Sequence, residues 1–381
     1  MYYKINNMLA IQKYINQYGI ERAILDFKLK TRIYENKILL KYNQLISPEL
    51  MALEEVQDCR GLIIDRNDFS IMSLAFRKFF NAEEDNAHKI DWNTAQVFEK
   101  LDGSCIQVYW DKYKNTWFAG TTGTAEGEGE VNNKYGTTFN QLFWNTVIEK
   151  YNFDVNKLTK GYCYVFELTT PYNIVVKPHG ESSATLLTVR NLFTLDELSS
   201  YEVSVISASI GVPMVKSYDL NAKDVGKLKR SLEGLEWSFE GYVVCDSNFN
   251  RIKIKNPAYI NIHHLKGKTA EHNILTIIKS NEIEEFGSTF PDRKEELYKL
   301  KENYDNLINK LNIIWSELNL RKPKNITPEE KKRYAAAVFE ICAKHNLNNF
   351  TGLFFGLNDG KISSIEEYIF NYDDKTLYKM L

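Results

Sequence analysis

Between Lys37 and Tyr259, apolar and polar residues alternate in short runs: GLIIDR, QVFEK, CIQVYW, YCYVFEL, TLLTVR and GYVVC, set apart by Gly, Asn and Asp. A period of two over four to eight residues predicts strands with one buried face. Two helical stretches interrupt the series, over residues 139–150 and 195–210. Beyond His263 the period changes. Leu297, Leu300, Tyr304, Leu307, Leu311, Ile314, Trp315 and Leu318 recur at spacings of three and four, one apolar core stripe along a long helix. Thr327-Pro-Glu-Glu330 predicts a capping box with proline at the first helical position, and Ser364-Ile-Glu-Glu367 predicts a second box. The fold class expected is α+β, with a strand-rich domain over residues 1–262 and an all-helical domain over 263–381.

Composition narrows the functional classes. The chain has 381 residues, 44% of them hydrophobic and 26% charged, enough to bury full cores in two domains. Lys plus Arg (48) nearly balances Asp plus Glu (50), for a net charge of -2, which excludes a protein that coats nucleic acid by bulk charge. Contact with RNA would need a local basic patch. No apolar run approaches the roughly 18 residues of a membrane span, and MYYKINNMLA lacks a signal-peptide pattern. Five scattered cysteines without C-x-x-C predict neither a disulfide framework nor a zinc knuckle. A cytoplasmic monomer without membrane contact is the expectation.

The chemistry sits in a series of short strings. Lys100-Leu-Asp-Gly103-Ser104 lies between two alternating runs, so a strand-end lysine precedes a tight turn. Alone, the string reads more readily as a hairpin with a solvated lysine. Cys59-Arg60-Gly61 and Arg77-Lys78-Phe79-Phe80-Asn81 lie upstream; Phe166-Glu167-Leu168, Phe239-Glu240-Gly241 and Arg251-Ile-Lys253-Ile-Lys255-Asn256 lie downstream. Lys253 and Lys255, two apart, share one strand face while Ile252 and Ile254 take the other. Gly120–Gly136 is rich in Gly, Thr and acid; without the Gly-Lys-Ser/Thr ending of a P-loop, it reads as a mobile surface loop. His263-His264 has no ligand spacing, and Arg321-Lys-Pro-Lys324 reads as a solvated loop that could touch RNA phosphate.

In this order the strings CRGLIID, RKFFN, KLDGS, FELTTPYN, LLTVR, EGYVV and IKIKNPAY resemble the covalent nucleotidyltransferases, and more narrowly the RNA ligase 1 family of T-even phages. The likeness runs over essentially the whole length, with LFFGLNDG in the tail. It implies a nucleotidyltransferase domain of ATP-grasp-like antiparallel sheets, with the helical domain as the module that chooses RNA. It further implies an ATP-dependent RNA ligase that works with Mg²⁺ or Mn²⁺. Lys100 would take AMP from ATP, pass it to an RNA 5′-phosphate, and a 3′-hydroxyl would displace it; repair of broken tRNA is the implied setting. Lys253, Lys255 and Glu167 would serve catalysis, and Tyr259 matches a position needed for activity. Tyr42, Asp102, Gly103 and Glu240 would line the nucleotide, while Arg60 and Lys78 would grip the outer phosphates. An attacking amine must first lose its proton, and a free lysine has a pKa of about 10.4, so burial and nearby cations are expected around Lys100.

The chain also departs from that family. Where a Lys-x-Lys-Gly-Ser string is expected, Gly120-Thr-Thr122-Gly-Thr124 stands, so one cation is missing; Lys177 or Lys134 could replace it. Ile174 follows Asn173 where Arg is expected, and Glu284-Glu285 matches a metal-binding acidic pair only through an insertion. Two rivals stay open. A DNA ligase or capping enzyme would follow the Lys-x-Lys strand with an OB-fold barrel, whereas helices are expected here. A catalytically inactive nucleic-acid-binding relative would lack the lysine or a glutamate, and all are present.

Overall fold

The computed structural model describes residues 8–44, 46–131, 135–221, 223–260, 274–280, 283–284, 293–320 and 327–381. The chain divides into two compact units, Met1–Lys266 and Gly267–Leu381.

The first unit holds three sheets. The first runs β1 (Lys30–Ile33), β2 (Lys37–Lys41), β3 (Arg60–Asp65), β4 (Ile71–Ser73) in that spatial order. The second, of five strands, includes β5 (Phe80–Asn81) and β6 (Gln96–Lys100). The third includes β7 (Ser104–Asp111) and β8 (Thr116–Thr121), joined by β9 (Tyr162–Thr169) and β10 (Ser183–Asn191) in the order β10-β9-β7-β8. The five-stranded sheet is completed by β11 (Ser217–Tyr218), β12 (Gly241–Cys245) and β13 (Arg251–Lys255), in the order β11-β6-β12-β13-β5. All strand neighbours are antiparallel except β13 and β5. This is the expected α+β arrangement of antiparallel sheets.

Alternation decides which face each sheet buries. Val97, Tyr242, Val244, Ile252 and Ile254 pack with Leu228 and Leu232 of the helix Val225–Leu232. Each such burial is worth about 1.5–3 kcal/mol. That helix covers one face of the five-stranded sheet and leaves the other to the site. In the third sheet, Ile106, Val108, Phe166 and Leu168 pack against Phe143 and Val147 of the helix Phe139–Lys150.

Three sequence expectations need correction. The stretch over 195–210 is helical only from Ser200 to Ile210, because Ser199 caps the first turn and Leu195 takes φ 65° in a preceding turn. The Gly120–Gly136 loop is not loose at its start: Ala125 is fully buried and held by the Tyr34 and Tyr109 hydroxyls, so burial replaces the mobility that its composition suggests. Lys100-Leu-Asp-Gly is not a hairpin turn either, since β6 and β7 belong to different sheets. Alternation also gave no sign of the helices Ala10–Tyr18 and Ile20–Asp26, whose Ile11, Ile15, Ile20 and Ala23 pack on the first sheet.

The regular elements described beyond residue 273 are helices. Leu297, Tyr304, Leu311, Ile314 and Leu318 are the buried stripe of Lys294–Leu320. Thr327 and Glu330 form the full capping box, whereas Ser364 caps Glu367 N alone and the Glu367 carboxylate binds Ser363. Among the described residues, no helix is long and apolar enough to cross a membrane. The five cysteines are free.

Candidate active site

Lys100 is the last residue of β6, opposite Gly241, which is also opposite Lys255. Residues directly opposite in an antiparallel ladder share a face, so Lys100, Gly241 and Lys255 form one row across the sheet. The middle member has no side chain, so two lysines flank a glycine in this row. The next row contains Val243 and Lys253. With Ile252 and Ile254 at 3% and 1% exposure on the covered face, Lys253 and Lys255 emerge half-buried on the other, as alternation predicts.

Gly241 takes φ +143°, and a β-carbon there would lie 2.1 Å from the Ile254 carbonyl oxygen and 2.8 Å from the Lys255 Cα. Only glycine allows β13 this close. Glu240, just before it, is buried, and its Oε1 lies 2.6 Å from Lys100 Nζ. Its Oε2 is buried with no hydrogen-bond partner among the described residues. Asn256, which the motif reading passed over, fixes the glutamate. Its side-chain amide donates to the Glu236 and Phe239 carbonyls, both at 2.9 Å, and its backbone N–H donates to the Glu240 carbonyl at 2.8 Å. Tyr259 follows in the same turn, 2% exposed.

The third sheet brings Glu167, opposite Cys105 in β7. Burial pushes its carboxyl up to about 7, with Glu240 and Asp102 adding to the rise and Lys100 and Arg60 opposing it. Burial draws the Arg60 guanidinium down, but Cys105, Tyr42 and Glu167 outweigh it and hold the group above its ordinary value. Arg60 also stacks near Phe76 and Phe79, at 5.9 and 5.7 Å from their ring centres. Lys78 Nζ lies 5.8 Å from the Tyr42 ring centre and 4.7 Å from that of Phe80. Its neighbour Arg77 instead pairs with Asp58 at 2.9 Å and Glu54 at 3.5 Å.

The turn after Lys100 is held rather than free. Asp102 accepts from the backbone N–H groups of Val176 and Lys177 at 3.0 and 2.6 Å, and its carbonyl meets His179 Nε2 at 2.9 Å. Its carboxylate thus anchors the segment after Asn173, whose own amide donates to Ser104 Oγ at 2.8 Å. Gly103 permits close packing, since a β-carbon there would stand 2.6 Å from the Leu168 carbonyl oxygen.

Lys100, Asp102, Glu167, Glu240 and Arg60 therefore share one electrostatic environment; strand pairing brings Lys253 and Lys255 beside it, and Gly103 packs against Glu167 and Leu168. Tyr42 reaches it through Arg60. Glu284 belongs to the second unit and pairs with Lys294 at 3.7 Å. Glu285, Lys134, His263-His264 and Arg321–Lys324 lie outside the described residues. No group of three or more His, Cys, Asp or Glu able to hold a metal ion occurs among the described residues.

The pKa of Glu167 carries a test. A carboxyl held above its unfolded value of about 4.4 binds more protons folded than unfolded. Native stability should therefore fall as pH rises from about 4.5 to 7, and the deficit should persist above that. Glu167→Gln escapes it. The variant should melt a few degrees above the native chain at pH 8, on the order of 1–3 kcal/mol, with the gap closing toward pH 4.5. A gain that does not change with pH would refute a raised Glu167.

A family model described as RNA ligase matches residues 58–259. An RNA ligase of Rhodothermus phage RM378 is 26% identical over 351 residues, spanning 75% of this chain and 79% of that protein. Among solved structures, an archaeal ATP-dependent RNA ligase is 13% identical with a TM-score of 0.47, covering 77% of this chain and 78% of its own. A Naegleria gruberi RNA ligase with PPi is 17% identical with a TM-score of 0.35, covering 46% of this chain and 52% of its own.

Proposed function

The chain belongs to the RNA ligase family, and from that premise we propose that it joins RNA ends with ATP through a Lys100–AMP intermediate. The observation that carries the reading is the Lys100–Gly241–Lys255 row, which sets a second lysine in register with Lys100 across a glycine, with Glu240 Oε1 2.6 Å from Lys100 Nζ. The Lys100 amine attacks the α-phosphorus of ATP, the bond to the bridging oxygen breaks, and pyrophosphate leaves with the electron pair. Glu240 is placed to take the proton that the amine loses. Lys253 and Lys255 offset the charge that builds on the phosphates, and Arg60 and Lys78 hold the outer ones. Tyr42 flanks the nucleotide. Tyr259 and Asn256 brace the end of β13, and Asp102 and Gly103 position the Lys100 turn. AMP then passes to an RNA 5′-phosphate, and an RNA 3′-hydroxyl displaces it to close the strand.

A divalent cation, Mg²⁺ or Mn²⁺, fits the donors present. Glu167, unfavourably charged by burial, and Glu240, with an orphaned Oε2, are hard oxygen ligands of the kind such ions share with phosphate. When bound, the ion supplies charge neutralisation on the reacting phosphates. The primary test is incubation with α-labelled ATP or GTP and a divalent cation. Label from ATP on the protein supports the reading, and no label from either nucleotide ends it.

We assign the two units different tasks, with residues 1–262 as the adenylylating domain and 263–381 as the domain that selects RNA, broken tRNA included. A chain truncated after His264 should then take label from ATP at near the full-length rate and lose preference among structured RNAs. A folded truncation that takes no label would place part of the catalytic site in the tail, with Glu284 the first candidate.

A further inference from the structure

Lys41 ends β2, and alternation puts it on the face shared by Lys37 and Leu39, the latter packed against Tyr109 of the third sheet. The two lysines on that face have opposite fates. Lys37 is buried and neutralised, paired with Asp111 and, at 3.0 Å, with Glu126. Lys41 is half-buried, and no carboxylate among the described residues pairs with it. Its neighbours across the first sheet are Lys30 and Arg60, which add positive charge.

The Lys41 amine extends toward the Thr122–Gly123 turn. A side chain begun at Gly123 would meet two atoms within 4 Å, Lys41 Nζ and Thr121 Oγ1, each at 3.9 Å. The Thr121 hydroxyl is already engaged with Thr124 Oγ1 at 2.8 Å and with the Gly123 and Thr124 backbone N–H groups. The two polar atoms over Gly123 are thus a hydroxyl that is already engaged and an ammonium that no carboxylate among the described residues pairs with. The turn is tied to the site through Gly61, where a β-carbon would stand 2.6 Å from the Thr122 Cα. Arg60, next in the chain, is coupled to Glu167 and through it to Lys100.

We propose that Lys41 supplies, from strand β2, the phosphate-binding cation that Thr122 and Gly123 do not, and that it holds the pyrophosphate end of ATP. The inference rests on the lysyl-AMP reading above. Lys41 makes and breaks no bond. As Lys100 Nζ bonds to the α-phosphorus and the α–β bridging oxygen departs with the electron pair, the Lys41 ammonium faces the charge gathered on the leaving pyrophosphate. Lys177, the rival for this role, donates its backbone N–H to the Asp102 carboxylate. Lys134 is outside the described residues.

The test uses the full-length chain and two reactions. The first is label transfer from α-labelled ATP at a series of ATP concentrations. The second is joining of a pre-adenylylated RNA to a 3′-hydroxyl end, which involves no pyrophosphate. Lys41→Gln should raise the ATP concentration for half-maximal labelling about 10- to 100-fold, as expected for one lost charge-assisted contact. Lys41→Arg should recover most of it, and both variants should join pre-adenylylated RNA within about threefold of the native rate. Labelling by Lys41→Gln within twofold of native would overturn the proposal. So would an equal loss in both reactions, which would mark Lys41 as structural or as an RNA contact. If the native chain takes no label at all, the lysyl-AMP reading itself falls, and this proposal with it.

Discussion

Lys100→Ala should take no label from ATP, and Lys100→Arg should take none either. The alanine has no nucleophile, and the arginine carries a guanidinium that a protein cannot deprotonate. Loss should reach the background of the assay, at least about a thousandfold, because among the described residues no other amine shares the row with Gly241 and Lys255 on the β6 side. The substitution also strands Glu240, already buried with one oxygen unpartnered, so the variant should lose on the order of 1–3 kcal/mol. Adding Glu240→Gln should restore much of that stability and none of the labelling. Joining of pre-adenylylated RNA should survive Lys100→Ala, since the nucleophile is spent before that step. Label on Lys100→Ala would end the covalent-lysine reading.

Gly241→Ala is the second large effect, and it acts through the backbone. A β-carbon 2.1 Å from the Ile254 carbonyl oxygen leaves no rotamer to escape into, so β12 and β13 must part. The cost should be on the order of 3 kcal/mol or more, counting the clash and the φ of +143° together. Parting those strands also moves Lys255 away from Lys100, so labelling should collapse even at temperatures where the variant stays folded. Gly136→Ala is the control. Its φ is +64°, but nothing lies within 4 Å, so it should cost about 1 kcal/mol of strain and leave labelling intact. Equal melting losses in the two variants would show that strain, and not strand contact, is what Gly241 relieves.

Much of this site was legible because strand alternation is local. Ile252-Lys253-Ile254-Lys255 declares its two faces in four residues, and the strings around Lys100, Glu167 and Glu240, ambiguous one by one, are legible through the resemblance that their order carries. What alternation cannot show is which strands meet. Nothing local says that Gly241 sits opposite both Lys100 and Lys255, or that Lys-Leu-Asp-Gly crosses between sheets. Asn256 was missed because its work is done on backbone carbonyls, and Lys41 because an isolated lysine after Lys37-Ile-Leu-Leu looks like any strand end. The Asp102 carboxylate reads as a nucleotide contact from its motif, and in the fold it accepts two backbone N–H groups. The Gly- and Thr-rich loop misled for a related reason: composition predicts solvation, but two tyrosine hydroxyls pull Ala125 inside.

The order β11-β6-β12-β13-β5 has a consequence for the making of the protein. The strand that ends in Lys100 has as its neighbours only segments synthesised more than a hundred residues later. While a ribosome is still translating toward residue 217, that strand has both edges unpaired and must wait in a partly folded chain. Folding by such distant pairings is slow compared with helix formation. A nascent chain therefore has no reactive pocket until β12 and β13 have left the exit tunnel, by which time synthesis of the helical unit is under way. If Lys100 takes AMP as proposed, a fragment that stops short of Lys255 should take no label from ATP, and incomplete chains would not trap nucleotide.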